Sequence, residues 1–352
     1  MGKVSDSLYG EMNKNRTEGV IQYNIGMEKL MWYIDGLKKS TMINIGGTSG
    51  SGKTSFVLYC YVYRPIMECI RNNSKDLTVI IFCLEMTAQL TLSKLLSFYL
   101  WDEYGIEMGM RDLYSYKGPI SPKTWEIINE SKKMVDKMET YIRFVEGTLN
   151  AKSLEKYIVN YYSKKGSFVN GEFIPKNPNH ITLGIIDHIG EVIPIDGNSK
   201  KTEIDNVADA CKRSRNNFGM SWAILQQINR GASSTARRDR YKGLEMDDFK
   251  ESGNVCEKSD IVLGIYYPFR MKDFDAGGYN VRELKQILKI IQILKGRFGE
   301  ADIGVGCAFY GHSGCFYELP KSQDITDYST YLNPRWTREK SEMKKELLDM
   351  EI

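Results

Sequence analysis

The segment Gly47-Thr48-Ser49-Gly50-Ser51-Gly52-Lys53-Thr54 has the spacing G-x-x-x-x-G-K-[ST], the loop that cradles nucleotide phosphates. Its glycines let backbone N–H groups turn inward around phosphate oxygens, and a following helix presents its positive N-terminus. Lys53 would reach the β- and γ-phosphates, while the Thr54 hydroxyl would bind Mg²⁺. An apolar run over 41–45 precedes the loop and a helix-compatible run over 54–61 follows it. That strand–loop–helix order is the setting the motif requires, so the expected ligand is a nucleoside triphosphate with Mg²⁺.

Other positions carry groups that phosphate chemistry uses. Glu85, in Ile81-Phe82-Cys83-Leu84-Glu85-Met86, stands just past the next strand. A carboxylate there could orient and deprotonate the water that attacks the γ-phosphate. A solvated glutamate at a helix N-terminus, favoured by the helix dipole, fits that position equally. Ile181-Thr182-Leu183-Gly184-Ile185-Ile186-Asp187 is an apolar strand ending in an acid, the Walker-B form whose aspartate helps to hold Mg²⁺. Aspartates at strand ends are also common turn residues, but an upstream P-loop favours the metal role. A third strand, Trp222-Ala223-Ile224-Leu225, runs into Gln226-Gln227-Ile228-Asn229-Arg230. A terminal amide there could sense the γ-phosphate; an ordinary polar loop is the alternative. Lys295-Gly296-Arg297-Phe298-Gly299 is a basic turn between two strands. Its arginine could enter a neighbouring subunit's site as a finger worth about 10³–10⁵ in rate. On the turn alone, solvated charges are the better reading.

Open α/β sheets gather ligands at the C-terminal ends of their strands, so these residues call for a mostly parallel sheet. From residue 43 onward strand-like and helix-like segments alternate as such a sheet demands. Strands are expected at 42–45, 78–84, 141–145, 181–187, 221–226 and 260–266. Thr87 caps a helix to about 104, Ser121-Pro122 opens one to about 138, and an amphipathic segment covers 153–162. A polar insertion over 164–180, rich in Gly, Asn and Pro, follows. The helix after Thr202 stops near Phe218-Gly219, with glycine in the capping place. Segments 287–294, 302–310 and 315–317 read as antiparallel strands at the edge of the parallel core. The expected fold class is therefore α/β, a mostly parallel twisted sheet flanked by helices.

Composition narrows the function classes. The 352 residues are 42% hydrophobic, enough for a real core, and the net charge of +3 is nearly balanced. Nucleic-acid binding would therefore rest on a local basic patch. No apolar run approaches the roughly 18 residues of a membrane span, and the first residues lack a signal-peptide core. Seven cysteines without a C-x-x-C pair read as buried thiols of a reducing cytoplasm, and three dispersed histidines suggest no zinc cluster.

Taken in order, these pieces resemble the RecA-like ATPase domain of DnaB-type replicative DNA helicases. The likeness begins at Gly19-Val20-Ile21-Gln22-Tyr23-Asn24-Ile25-Gly26, the family's entry segment. It continues through Leu84-Glu85-Met86, Ile185-Ile186-Asp187-His188 and Gln226-Gln227-Ile228-Asn229-Arg230. It closes with Glu251-Ser252-Gly253, Ser259-Asp260-Ile261-Val262 and Lys295-Gly296-Arg297-Phe298-Gly299. The resemblance implies a homohexameric ring with ATP and Mg²⁺ between subunits. Gly47, Thr48, Ser49, Gly50, Ser51, Gly52, Lys53, Thr54 and Ser55, with Arg230, would contact nucleotide, and Thr54 and Asp187 would support the metal. Glu85 would activate water, Gln227 would sense the γ-phosphate, and Arg297 with Lys295 would act in trans. The likeness thus reverses the bland reading of the 295–299 turn. His188 departs from it, standing where the family usually has tyrosine. The P-loop also differs from the family's commoner form, and residues 1–18 leave no room for the N-terminal helical domain that binds primase.

The implied organisation is an arm or linker at 1–18, an ATPase domain at 19–320 and a tail at 321–352 with a charged helix. The arm could pack on an adjacent subunit as the family's linker helix does, or be disordered. In a ring, the loops after the Walker-B and sensor strands would face the channel. One, at 190–202, carries Lys200 and Lys201. The other, at 231–242, carries Arg237, Arg238, Arg240 and Lys242 among small residues, suited to tracking single-stranded DNA phosphates. Primase, a helicase loader and polymerase are the further partners such a protein would have, with no membrane. A compact form rich in Tyr, Lys and Asn suits a phage-encoded protein acting in the host cytoplasm. A RecA-type recombinase or filament-forming ATPase is the alternative, and a non-helicase P-loop ATPase is the third.

Overall fold

The computed structural model describes residues 3–195, 197–228, 243–249, 253–297 and 299–335. Its centre is a nine-stranded sheet. In chain order its strands are β1 (Met42–Gly47), β2 (Leu77–Cys83), β3 (Ile142–Glu146), β4 (Ile181–Asp187), β5 (Ser221–Gln227) and β6 (Ile261–Tyr266). The last three are β7 (Leu288–Gly296), β8 (Ile303–Tyr310) and β9 (Cys315–Glu318). The spatial order is β9-β8-β7-β6-β1-β5-β4-β2-β3. The six strands from β6 to β3 run parallel, and β7, β8 and β9 extend the sheet antiparallel.

Period-two side-chain alternation on buried strands explains why both faces are covered. Ile43, Ile45, Val79, Ile81, Leu183, Ile185 and Leu225 pack on one face with Phe56, Leu58 and Val62. Met42, Ile80, Phe82, Ile186, Trp222 and Ile224 pack on the other with Leu154, Ile158, Val207 and Cys211. The first face is covered by the helix that leaves the P-loop. That helix is α over Lys53–Phe56, π over Val57–Tyr63 and α again over Arg64–Arg71. The second is covered by helices Ala151–Tyr162 and Lys200–Phe218.

Local punctuation matches the expectations at several places. The Thr87 hydroxyl accepts from Leu90 N–H at the start of Ala88–Tyr104, and Ser121 caps Pro122–Glu139. Two expectations change. The insertion at 164–180 contains an antiparallel hairpin, Gly166–Val169 with Glu172–Pro175, turning at Asn170-Gly171 with positive φ at both. Lys200 and Lys201 lie in the first turn of helix Lys200–Phe218, not in the preceding loop, because Ser199 rather than Thr202 is the cap. The arm is helical over Lys3–Glu18, with Leu8, Tyr9 and Met12 exposed. At the other end, the Tyr310 hydroxyl donates to the Tyr331 carbonyl at 2.9 Å, so chain beyond 320 packs on the domain. Residues 336–352 lie outside the described residues. Among the described residues, no helix is long and apolar enough to cross a membrane.

Candidate nucleotide site

Strand register brings the P-loop, Asp187 and Gln227 to one edge. Gly47 pairs with Gln227 on β5, and Cys83 with Asp187 on β4, so the P-loop, Asp187 and Gln227 leave neighbouring strands at their C-terminal ends. Glu85 follows the end of β2 in an exposed bend. Gly52 has φ 94° before the helix starts. A Cβ there would stand 2.9 Å from Phe316 and 3.1 Å from Phe309, so only glycine fits without strain. At Gly47 a Cβ would meet Ser51 Oγ at 2.5 Å.

Lys53 donates to the carbonyls of Gly47 at 2.8 Å and Thr48 at 3.3 Å, which keeps its ammonium against the loop. Thr54 hydrogen-bonds Asp187, joining the two expected metal ligands. Burial pushes the Asp187 carboxyl above the usual range. The Thr54 hydroxyl pulls it back, the Glu85 charge adds to the push, and His188 and Lys53 oppose it. A cation beside these two acids would offset their mutual crowding. The oxygen donors of Thr54 and Asp187 beside a phosphate loop fit Mg²⁺, a hard ion that takes few protein ligands and the rest from phosphates and water.

Gln227 lies 3.0 Å from His188 Nε2. His188 Nδ1 accepts the Gly190 N–H at 3.1 Å, so a single ring proton sits on Nε2. The Gln227 atom at that distance is its amide nitrogen, itself a donor, so the pair becomes a hydrogen bond only with the amide turned to bring its oxygen to His188. Glu191 also approaches Nε2, at 3.3 Å.

Two cations near the P-loop escaped the sequence reading. Lys94, on Ala88–Tyr104, donates to Ser55 Oγ at 3.1 Å; burial lowers its pKa and Asp187 opposes the shift. Arg270, in the turn after β6, donates to the Ser49 carbonyl at 2.6 Å. Lys94 could have been sought nine residues beyond Glu85, on the helix that Thr87 caps. Nothing in spacing marks Arg270, which is 221 residues from its partner.

Arg297 lies at the opposite edge. It follows β7, and its Nη1 donates to Asp260 Oδ1 at 2.7 Å beside the start of β6. Lys295 donates to the Glu257 carbonyl at 2.7 Å and the Cys256 carbonyl at 3.1 Å. It caps helix Gly253–Lys258 as a cation at a helix C-terminus. Lys200 and Lys201 are exposed at the helix start after β4, on the P-loop edge. Arg230, Arg237, Arg238, Arg240 and Lys242 lie outside the described residues.

A P-loop and the strand-end Asp187 at one edge of a largely parallel sheet are the arrangement of a RecA-like P-loop fold. Solved structures share it. One, described as an ATPase domain, aligns with a TM-score of 0.69 at 17% identity, covering 91% of this chain and 100% of that one. A DnaB-like replicative helicase, described with its interactions with primase, aligns with a TM-score of 0.69 at 17% identity, covering 91% of this chain and 68% of that one. No curated protein sequence matches this chain significantly. The model of the DnaB-like helicase C-terminal domain matches residues 23–318, and the chain belongs to that family.

Proposed function

We propose that this chain is a replicative DNA helicase. It hydrolyses ATP between the subunits of a hexameric ring and moves on single-stranded DNA through the ring's centre. The observation that carries this reading is the separation of the two halves of the site. Asp260, which holds Arg297, accepts from Met42 N–H at the start of β1, whereas the P-loop follows Gly47 at the end of β1. At about 3.3 Å per residue, the strand separates them by about 16 Å. An arginine at the far edge cannot reach its own subunit's phosphates, but its half-exposed side chain is open to a neighbour's. In this reading Lys53 and Gly47 to Ser55 hold ATP, Thr54 and Asp187 hold Mg²⁺, and Glu85 prepares the attacking water. Gln227 reads the γ-phosphate, and Arg297 completes the next subunit's site. The bound Mg²⁺ would draw charge from the phosphoryl oxygens.

The helix Lys3–Glu18 would lay its exposed Leu8 and Met12 on an adjacent subunit, and primase or a loader would be further partners. DNA would contact the loops after β4 and β5, with Lys200 and Lys201 at the rim of the first and Arg237, Arg238, Arg240 and Lys242 in the second. Unwinding of a forked duplex tests the whole. The wild-type chain should show hydrolysis stimulated by single strands and ATP-dependent strand separation. Glu85→Gln should bind ATP yet hydrolyse it about 10²–10⁴-fold more slowly. A wild-type chain with no DNA-stimulated hydrolysis and no unwinding would overturn the assignment.

A further inference from the structure

Asp260 is 2% exposed and serves two arginines at once. Arg215 Nη1 contacts both carboxylate oxygens at 2.5 Å. Arg297 Nη1 takes Oδ1 at 2.7 Å, and Met42 N–H donates to Oδ2 at 2.9 Å. The two arginines differ in setting. The Arg215 side chain is 9% exposed, that of Arg297 51%. Arg215 alone would balance the charge of Asp260, so Arg297 is not needed to neutralise a buried acid. Its contact does something else. Arg297 N–H also donates to the Asp260 carbonyl at 2.9 Å, so backbone and guanidinium are both tied to one residue.

The turn itself is held. A Cβ on Gly299 would stand 2.6 Å from the Tyr33 carbonyl oxygen, and one on Gly296 3.0 Å from the Glu300 carbonyl oxygen. The backbone at Gly296 and Gly299 thus runs close to the Glu300 and Tyr33 carbonyls, while the Arg297 side chain between them is half exposed. An unrestrained arginine spreads over many rotamers. One N–H on Asp260 selects among them and leaves most of the guanidinium fork facing outward for an anion.

We propose that Asp260 is the positioning residue for Arg297. Held in place by Arg215 and the Met42 amide, it presents the guanidinium in the pose that meets the γ-phosphate of the neighbouring subunit. This rests on the reading of Arg297 as a finger acting in trans. A preset finger contributes most where charge develops on the transferring phosphoryl. Its loss should therefore lower kcat and leave the KM for ATP nearly unchanged.

Subunit mixing in the full-length protein separates this role from ordinary structural support. Asp260→Asn keeps the shape and loses the charge. Alone it should hydrolyse ATP about 10- to 100-fold more slowly at saturation, with KM within about threefold of wild type. Mixed with Lys53→Ala, it should regain hydrolysis, because the Lys53→Ala copy lends an intact finger to the intact phosphate pocket of the Asp260→Asn copy. Arg297→Ala should behave the same way. If Asp260→Asn does not fold, judged by circular dichroism, Arg215→Gln with Asp260→Asn removes both buried charges and takes the same test. Full activity of the Asp260 variant beside an inactive, complementable Arg297→Ala would overturn this proposal and leave the finger standing. An inactive Asp260 variant that mixing does not restore would also overturn it, placing the role of Asp260 within its own subunit. Full activity of Arg297→Ala would instead remove the finger reading itself.

Discussion

Replacing Lys289 with methionine should make the protein more stable near neutral pH, and less so as the solution becomes alkaline. Lys289 stands on β7 and is 1% exposed. Its ammonium donates to the Gln286 carbonyl and lies 3.7 Å from the centre of the Tyr267 ring and 5.2 Å from that of Phe309. Burial lowers its pKa from 10.5 to about 7. The sign follows from proton counts. Between pH 7 and 10.5 the unfolded chain holds a proton on this lysine that the folded chain sheds, so stability rises with pH in that window. Below pH 7 the penalty is at its full size, and above 10.5 it is gone. At about 1.4 kcal/mol per unit, the penalty is about 4 kcal/mol at pH 7.5 and about 2 kcal/mol at pH 9. Methionine has similar length and fills the slot without charge. The lost ring contacts and carbonyl bond trim the gain at pH 7.5 to about 2–4 kcal/mol. Urea titrations of both chains at the two pH values measure it. A gain that does not shrink between pH 7.5 and 9, or a variant less stable at pH 7.5, would refute the reasoning.

Two further outcomes follow from the site and its surroundings. Gly52→Ala, forced to φ 94° and against Phe316 at 2.9 Å, should lose about 1–3 kcal/mol of stability. It should also bind ATP at least about tenfold more weakly, both read from nucleotide titrations and thermal melts; an unchanged affinity would show that the loop tolerates the side chain. Arg237→Ala with Arg238→Ala should lower single-strand affinity. It should flatten the dependence of log affinity on log salt by about 1.4, at about 0.7 per phosphate contact. An unchanged salt slope in an anisotropy assay would exclude these two arginines from the DNA path.

Much of this fold was legible because its strongest elements are governed locally. The buried parallel strands are continuous apolar runs, and β4 ends at the Asp187 that its pattern required. Thr87 and Ser121 cap the helices they preceded in the sequence. The hairpin at 166–175 was missed although Asn170-Gly171 is a favoured two-residue turn. Its strands are four residues each, and the surrounding lysines and asparagines masked the alternation. Lys200 and Lys201 moved because Ser199 and Thr202 both suit a cap, and only the packing of Glu203 decides between them. Glu203 is buried and accepts from Ala151 N–H at 2.7 Å and the Asn198 side chain at 2.9 Å, which fixes the earlier start. The helix Lys3–Glu18 lacks the apolar stripe by which a sequence announces a helix. Of the site, the motif residues were readable from spacing. Their long-range partners were not: Asp260 meets Arg215 across 45 positions and Arg297 across 37, distances over which chain order carries no signal.

The placement of the P-loop and Arg297 on opposite edges of one sheet also determines how damage would spread in the proposed ring. A copy that loses Arg297 keeps its own pocket and disables the one beside it. A copy that loses Lys53 silences itself and still serves its neighbour. In a cell making both good and faulty copies, either kind of faulty copy silences one site of the ring, so the two lesions weaken a mixed ring equally. They differ when they meet: lesions on separate copies leave an intact site wherever a sound pocket faces a sound finger, whereas both lesions on one chain leave none between faulty copies. Two alleles that each fail alone would therefore complement one another.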